Sequence, residues 1–313
     1  MSETHVVFGT GQVGHALISQ LAGSGYDVRA VSMHHPTALP EGADWRGADA
    51  TDHEAAADAA KGASVIYQCL NAPYTKWPEL FPPLQRGVLA AAERNDALLV
   101  TLENVYSYGS TGGKPMTEDH PLSATTVKGR TRAAMTRELL AAAEAGRIRI
   151  AIGRASDLFG AGATETALGS RVFANALVGK RVDFIGNPNL LHTYSYVPDV
   201  AKGLATLGTD ERAIGGAWHL PGPETVATRA IIELVAGEVG RTVGIRKVPT
   251  LAVRAMGLFS PMMRGLAEMA YEFEEPFVLD TTKYRSTFGT ATTPLSTAIA
   301  ETVGWYRSER GAS

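Results

Sequence analysis

Features that would place a protein in a specialised class are scarce in this sequence. Only one of its 313 residues is a cysteine, Cys69, so the chain cannot form an internal disulfide and we expect a reducing compartment. No apolar run approaches the length of a membrane span, and residues 1–11 lack the basic and apolar stretches of a signal peptide. The sequence therefore favours a cytoplasmic protein with no membrane partner.

Charge of one sign is not concentrated in any block of the sequence. The 29 Lys and Arg residues nearly balance the 32 Asp and Glu residues, so we expect no nucleic-acid partner, which would need a broad basic face. The sequence also lacks the ligand spacing of a metal site, a nucleophile elbow and a Walker loop, and we predict no metal. Its length fits two domains or one large α/β unit.

Strand and helix patterns alternate along the first half of the chain. Runs rich in β-branched and aromatic residues predict strands at 5–9, 26–32, 64–70, 97–102 and 147–153. Helical spacing predicts helices between them, over 13–23, 52–62, 84–95 and 128–146. Strands separated by helices predict an α/β fold with a Rossmann-type, doubly wound parallel sheet.

The second half of the chain has a looser pattern. Helical spacing recurs there over 170–180, 228–240 and 294–307, and short strands are predicted at 181–186 and 244–249. No linker separates the two halves. We therefore predict a small C-terminal lobe of mixed α/β structure that packs on the first half.

A glycine-rich loop, Gly9-x-Gly11-x-x-Gly14, follows the first strand and opens the first helix. In that context Gly9 permits a tight turn, Gly11 lets the backbone approach a pyrophosphate, and Gly14 lets helix and strand pack closely. Backbone N–H groups at the start of the helix, around Gln12 and Val13, would then face the phosphates. An ordinary tight turn is the alternative, but the context favours a dinucleotide site.

The end of the second strand bears on which dinucleotide is bound. NAD-binding proteins usually carry an acidic residue there, but this strand ends at Ser32 and His34, and Asp27 comes too early. Because Ser32 and His34 can donate hydrogen bonds to a 2′-phosphate, we favour NADP(H), with NAD(H) as the second choice. The alternative is that His34 and His35 are ordinary exposed loop residues.

Six segments in chain order resemble those of the extended short-chain dehydrogenases/reductases, the nucleotide-sugar epimerase/dehydratase group. They are GADATD (47–52), SVIYQCLNAP (64–73), VYSYG (105–109), GRASDLFGAG (153–162), HTYSYVPDVAKGL (192–204) and TTPLSTAIAETVGWYR (292–307). The resemblance implies a dinucleotide-binding domain over 1–155, to which 196–220 returns, and a lobe over 156–313 that mainly binds the substrate. It also implies a small-molecule substrate, with a nucleotide sugar as the family default, and a homodimer.

The resemblance assigns further cofactor contacts. Asp49 and Ala50 would border the adenine, and Leu70, Asn71 and Ala72 would border the nicotinamide ribose. Tyr74 and Trp77 follow directly, where they would roof the nicotinamide or grip the substrate; packing against the next helix is the alternative. His192 and Tyr194 precede a helix that starts near residue 199, where the family lines its substrate pocket, although structural hydrogen bonding is the commoner role of a single histidine.

The catalytic positions depart from the pattern of the family. Its Ser falls on Asn104, and its Tyr-x-x-x-Lys pair falls on Lys128 and Arg132, as in atypical members. Asn104 could orient a substrate oxygen, and Arg132 could hold ribose hydroxyls but cannot give up a proton. Lys128, also a candidate cofactor contact, and Tyr106, expected beside Asn104 in extended backbone, are the candidate acids. The alternative for Lys128 and Arg132 is a solvated basic helix face shared with Arg130 and Arg137.

Two classes of function are consistent with these residues. The first is an NAD(P)-dependent oxidoreductase or epimerase/dehydratase-like enzyme that acts on a carbonyl or hydroxyl group. The second is a catalytically degenerate protein that binds NADP(H) as a sensor or interaction protein, which loss of the Tyr-Lys pair would favour. A non-redox enzyme that reuses the pocket is a third option, and the fold alone does not decide among them.

Overall fold

The computed structural model describes residues 3–289 and 292–311; the outermost positions of the two predicted domains, 1–2 and 312–313, lie outside these ranges. The strands of the first half are β1 (Thr4–Phe8), β2 (Asp27–Ser32), β3 (Ala43–Gly47), β4 (Val65–Gln68), β5 (Leu98–Asn104) and β6 (Arg149–Ala155). Its helices are α1 (Gln12–Gly23), α2 (His53–Ala59), α3 (Trp77–Asn95) and α4 (Val127–Glu144).

The second half has shorter strands and more helices. Its strands are β7 (Asp157–Phe159), β8 (Val182–Ile185), β9 (Leu191–His192), β10 (Tyr194–Tyr196), β11 (Ala217–His219), β12 (Val226–Ala227) and β13 (Ile245–Val248). Its helices are α5 (Gly169–Leu177), α6 (Val197–Thr209), α7 (Thr228–Val239), α8 (Thr250–Met256), α9 (Pro261–Glu268), α10 (Thr282–Phe288) and α11 (Leu295–Gly311). A 3-10 helix, Ala270–Phe273, follows α9.

Seven strands form one sheet in the order β3-β2-β1-β4-β5-β6-β11, and every neighbouring pair in it is parallel. This order confirms the predicted Rossmann-type fold. The direction of winding reverses between β1 and β4, so a crevice opens at the carboxyl ends of these two strands, where ligands of such sheets bind.

Helices cover both faces of the sheet. On one face α1 and α6 pack against each other over buried side chains that include Leu17 and Leu204. On the other face α2, α3 and α4 cover a second buried cluster around Leu99. The lobe has a core of its own, in which α5, α7 and α11 enclose residues such as Phe173 and Val235. The boundary between the two predicted domains stays a prediction.

Two elements of the first half differ from the sequence expectation. The strand β3 was not predicted, because it is a largely exposed edge strand that only its pairing with β2 defines. The third helix begins at Trp77 rather than at residue 84, since burial of Trp77 and Phe81 keeps the chain helical through Pro82 and Pro83. Both differences arise from tertiary contacts that local periodicity does not record.

The segment from α8 to α10 was also missing from the prediction. Its helices are short, and α8 and α9 bury few residues: Val253 is buried in α8 and Gly265 in α9. This weak pattern gives little periodic signal. The segment matters for the site, because α9 lies against the start of α4.

Candidate functional site

The glycine loop has the geometry that its spacing predicts. Gly9 has a φ of 100°, in the left-handed region that favours glycine. A side chain at Gly14 would place its Cβ 1.9 Å from the carbonyl oxygen of Gly9, so only glycine allows α1 to pack this closely on the loop. A Cβ at Gly11 would meet no atom within 4 Å, so the outer side of the loop is open.

The N-terminus of α1 fits a dinucleotide pyrophosphate. Gly11 is the N-cap residue, and in the described chain no side chain caps this helix end. The first turn, which contains Gln12 and Val13, holds no acidic residue. Its backbone N–H groups and the positive end of the helix dipole are therefore available to an anion.

The end of β2 offers fewer hydrogen-bond donors to a 2′-phosphate than the sequence alone indicates. The hydroxyl of Ser32 donates to the carbonyl oxygen of His34 at 2.8 Å and accepts from the indole N–H of Trp45 at 3.1 Å, so its single proton is already used. The exposed Arg46 of β3 lies beside this strand end, in register with Val31. Within the described residues no carboxylate pairs with Arg46, which sequence reasoning overlooked because β3 was not predicted.

The other predicted cofactor contacts lie at the carboxyl ends of the strands. Asp49 is exposed after β3, and its Oδ1 accepts hydrogen bonds from the backbone N–H and hydroxyl of Thr51, both at 2.8 Å. Its neighbour Ala50 is buried under α3. Beyond β4, Leu70 is half-buried, Asn71 is exposed and Ala72 is buried. Their roles toward a cofactor stay predictions.

The turn after β5 holds Asn104 and Tyr106. The Oδ1 of Asn104 accepts a hydrogen bond from the backbone N–H of Tyr106 at 3.3 Å, and residues 105–108 form a turn. The expected extended backbone at Tyr106 is therefore wrong, because the side chain of Asn104 closes the turn. Among the described residues the amide NH2 of Asn104 has no hydrogen-bond partner, so it could donate to a ligand oxygen. The ring of Tyr106 stacks on that of Trp77, with centroids 5.7 Å apart.

Lys128 and Arg132 lie one turn apart on α4 and are only 5% and 6% exposed. The alternative of a solvated basic face is therefore wrong for these two residues, although it holds for Arg130 and Arg137, which are exposed. Burial lowers the pKa of Arg132, and its Nε is buried without a hydrogen-bond partner in the described chain. An orphaned donor of this kind is what a ribose hydroxyl would satisfy.

A segment of the lobe covers Lys128. Its ammonium group lies 3.1 Å from Oε1 of Glu268 on α9, and the same oxygen accepts the backbone N–H of Lys128 at 3.1 Å. The ammonium also lies 4.1 Å from the ring centroid of Tyr74, whose hydroxyl donates to the carbonyl oxygen of Gly265 at 3.2 Å. Sequence reasoning missed Glu268, because a partner 140 residues away leaves no local signal.

The polar groups of the remaining predicted substrate residues have partners within the protein. The indole N–H of Trp77 donates to the carbonyl oxygen of Ala72 at 3.1 Å, and its ring packs on those of Tyr74 and Phe81. In the lobe, Nε2 of His192 lies 3.0 Å from Oδ2 of Asp157. The hydroxyl of Tyr194 bonds that of Thr228 at 2.9 Å. A substrate role for these four residues (Tyr74, Trp77, His192 and Tyr194) stays a prediction.

A buried network fixes the turn that carries Asn104. Arg154 donates to Oε2 of Glu103 at 3.2 Å and to the hydroxyl of Tyr108 at 2.6 Å. Burial lowers the pKa of His219 to about 3, so its imidazole is neutral. Its Nδ1 then donates to the carbonyl oxygen of Asp280 at 2.8 Å, and its Nε2 accepts from Tyr108 at 2.7 Å.

Across residues 3–289 and 292–311, no three His, Cys, Asp or Glu side chains come together in a group that could hold a metal ion. Over the same ranges, no helix combines the length and the apolar character needed to cross a bilayer.

A doubly wound parallel sheet with a glycine-rich loop at its reversal point defines a Rossmann-type protein. The sequence model of the NAD dependent epimerase/dehydratase family matches residues 6–219. The chain therefore belongs to the NAD-dependent epimerase/dehydratase family. No curated protein matches the sequence at a significant level.

Solved structures of low sequence identity share the fold over nearly the whole chain. An epimerase from Methanothermobacter thermautotrophicus is 16% identical, with a TM-score of 0.83 over 99% of this chain and 94% of its own. The dTDP-glucose 4,6-dehydratase of Bacillus anthracis, solved with NAD, is 16% identical, with a TM-score of 0.81 over 99% and 98%. The UDP-glucuronic acid 4-epimerase of Bacillus cereus, also solved with NAD, is 16% identical, with a TM-score of 0.79 over 98% and 99%.

Proposed function

We propose that this protein is an NAD(P)-dependent enzyme that oxidises and reduces one carbon of a small molecule, with a nucleotide sugar as the first candidate substrate. The observation that carries the proposal is the juxtaposition at the carboxyl ends of β1, β4 and β5. There the open α1 terminus follows β1, Asn104 ends β5, and the buried Lys128 and Arg132 lie on α4, the helix that follows β5. Family membership and the nucleotide-sugar enzymes among the structural neighbours support it.

Each part of the crevice has a distinct role in this proposal. The α1 terminus would hold the pyrophosphate, and Arg132 would hold the nicotinamide ribose through its orphaned donor. The bound nicotinamide would supply the hydride acceptor and donor. Asn104 would orient the substrate oxygen, and Tyr106 or Lys128 would be hydrogen-bond donors to it. The Tyr and Lys positions of the family pattern are assigned to Lys128 and Arg132 by resemblance alone.

The proposal is tested by titrating the cofactor-free protein with NADH and NADPH, and then by supplying UDP- and dTDP-hexoses to the loaded protein. Saturable binding followed by conversion of one sugar supports it. Saturable binding with no conversion of any carbonyl or alcohol would instead favour the sensor or interaction protein. One observation favours that second candidate: the ammonium of Lys128 is already occupied by Glu268 and Tyr74.

Changing Asn104 to aspartate should separate binding from turnover. The carboxylate keeps an oxygen for the N–H of Tyr106 but removes the amide donor to the substrate oxygen. We expect kcat to fall on the order of 100-fold, as for loss of one oriented donor, with cofactor affinity unchanged. The control is Asn189→Asp, the same change at an exposed lobe residue. Equal kcat in both variants would contradict the role of Asn104.

The preference for NADP(H) should depend on Arg46. A charge-assisted hydrogen bond to the 2′-phosphate contributes about 1.5–3 kcal/mol, so Arg46→Ala should weaken NADPH binding roughly tenfold or more and leave NADH binding unchanged. Lys61→Ala, which removes another exposed cation, is the control. Tighter binding of NADH than of NADPH by the unmodified protein would contradict the preference.

A further inference from the structure

The lobe places a buried carboxyl group near Tyr106 and Lys128. Glu272, in the 3-10 helix after α9, is 2% exposed. Its carboxyl group interacts electrostatically with the hydroxyl of Tyr106 and with the ammonium of Lys128. Glu272 therefore lies close to two residues of the candidate catalytic set, although it is 166 positions along the chain from Tyr106.

Two polar atoms at this point lack partners. Neither Oε1 of Glu272 nor the hydroxyl of its neighbour Tyr271 has a hydrogen-bond partner among the described residues, and both atoms are buried. Buried polar atoms without partners are rare, because each costs about 1–3 kcal/mol of unfolding free energy. These two atoms, on adjacent residues, are therefore both available to bond a polar group of a ligand.

We propose that Glu272 is the group that takes the proton from a substrate hydroxyl and returns it, and that Tyr271 bonds the same substrate oxygen. This proposal rests on the proposed function. When the substrate carbon is oxidised, its hydroxyl proton would pass to the carboxylate of Glu272, and the nicotinamide, when bound, would supply the hydride acceptor. When the carbonyl is reduced, the proton returns from the Glu272 carboxylic acid to the oxygen, so protons and electrons balance.

The surrounding charges suit a proton carrier. The titratable groups that interact with Glu272 come from six elements or loops: Tyr74, Tyr106, Lys128, Asp157, Tyr194 and Tyr271. Burial, and then the negative charge of Asp157, raise the pKa of Glu272 well above its ordinary value, against the opposing effects of Lys128 and Tyr106. A carboxyl group whose pKa moves toward the working pH can act as both acid and base.

The two acids considered from the sequence are less suited to this step. The ammonium of Lys128 is held by the carboxylate of Glu268 and covers the ring of Tyr74. Burial raises the pKa of Tyr106 well above its ordinary value, so its phenol stays protonated and cannot accept a proton at neutral pH. Tyr106 can still donate a hydrogen bond to Glu272 and hold the carboxyl group in place.

The first test is the stability of Glu272→Gln as a function of pH. Because the carboxyl pKa is higher in the folded than in the unfolded state, the folded state binds more protons, and stability falls as pH rises above about 4.5. In Glu272→Gln the side chain is a neutral amide, so this loss of stability at higher pH is absent. We therefore expect Glu272→Gln to melt at least about 2 °C above the unmodified protein at pH 8 and to lose the difference near pH 4. Glu274→Gln, the same change at an exposed neighbour, should show neither effect.

The second test is the pH profile of turnover by the loaded enzyme. Glu272→Gln should bind the cofactor normally, lose about 100-fold or more in kcat, and lose the pH dependence that comes from titration of the carboxyl group. Lower stability of Glu272→Gln at pH 8, or turnover with an unchanged pH profile, would overturn the proposal. If the unmodified protein binds cofactor but converts no substrate, the proposed function itself fails and the catalytic role of Glu272 fails with it.

Discussion

Replacing Gly11 by glutamate should abolish cofactor binding and leave the fold intact. The Cβ of the new residue would meet no atom within 4 Å, and the φ of −70° at Gly11 suits any residue. The added carboxylate would stand beside the pyrophosphate. Two like charges about 4 Å apart near a protein surface repel by about 4 kcal/mol, which corresponds to roughly a 1,000-fold loss of affinity.

Titration calorimetry with NADH and NADPH measures this loss, and thermal unfolding shows that the fold survives. The matched control is Gln20→Glu, which adds the same charge at an exposed position two turns further along α1. We expect its cofactor affinity to stay within about twofold of the unmodified protein. If Gly11→Glu binds either cofactor as tightly as the control does, the glycine loop is only a turn.

Replacing Arg154 by methionine should strongly destabilise the protein. The change removes the partner of Glu103, which is 5% exposed, and the donor to Tyr108. Removing one partner of a buried ion pair costs about 3–5 kcal/mol of unfolding free energy, because the other charge stays buried. Urea denaturation measures the loss, and Arg149→Met, at the exposed start of the same strand, should cost less than about 1 kcal/mol.

A second substitution shows whether the loss comes from the uncompensated charge. Adding Glu103→Gln to Arg154→Met makes the remaining group neutral and keeps an oxygen for the hydroxyl of Thr136, which lies 2.7 Å from Glu103. We expect the double variant to recover stability relative to Arg154→Met alone, since coupled neighbours are not additive. If the double variant loses as much stability as the two single variants added together, the charge-based explanation is contradicted.

Local sequence patterns were sufficient for five of the seven strands of the sheet and for the glycine loop. The alternation of strands and helices predicted the parallel sheet, and the spacing of Gly9, Gly11 and Gly14 predicted a turn whose geometry the structure reproduces. Both features depend on contacts between residues close in sequence, or on the regular repeat of strand and helix units. The chemistry of the turn after β5 depended on a different kind of information.

The environment of Lys128 could not be derived from the sequence. A charged helix residue is usually exposed, and only the docking of α9 buries it against Glu268. Glu272 and Tyr271 likewise come from a segment without a periodic pattern. The turn at Tyr106 was also missed, because a side-chain hydrogen bond from Asn104, rather than strand pairing, determines it. The geometry of the glycine loop was thus predictable to a greater extent than the surroundings of Lys128 and Tyr106.

The most direct test of the proposed function is to follow nucleotide sugars by NMR in deuterated water with the NAD- or NADP-loaded protein. We expect one UDP- or dTDP-hexose to change configuration, lose water or become oxidised at a ring carbon, and only when the cofactor is bound. A protein that binds the cofactor tightly and leaves every nucleotide sugar, ketone and alcohol unchanged would contradict an enzymatic role at this site.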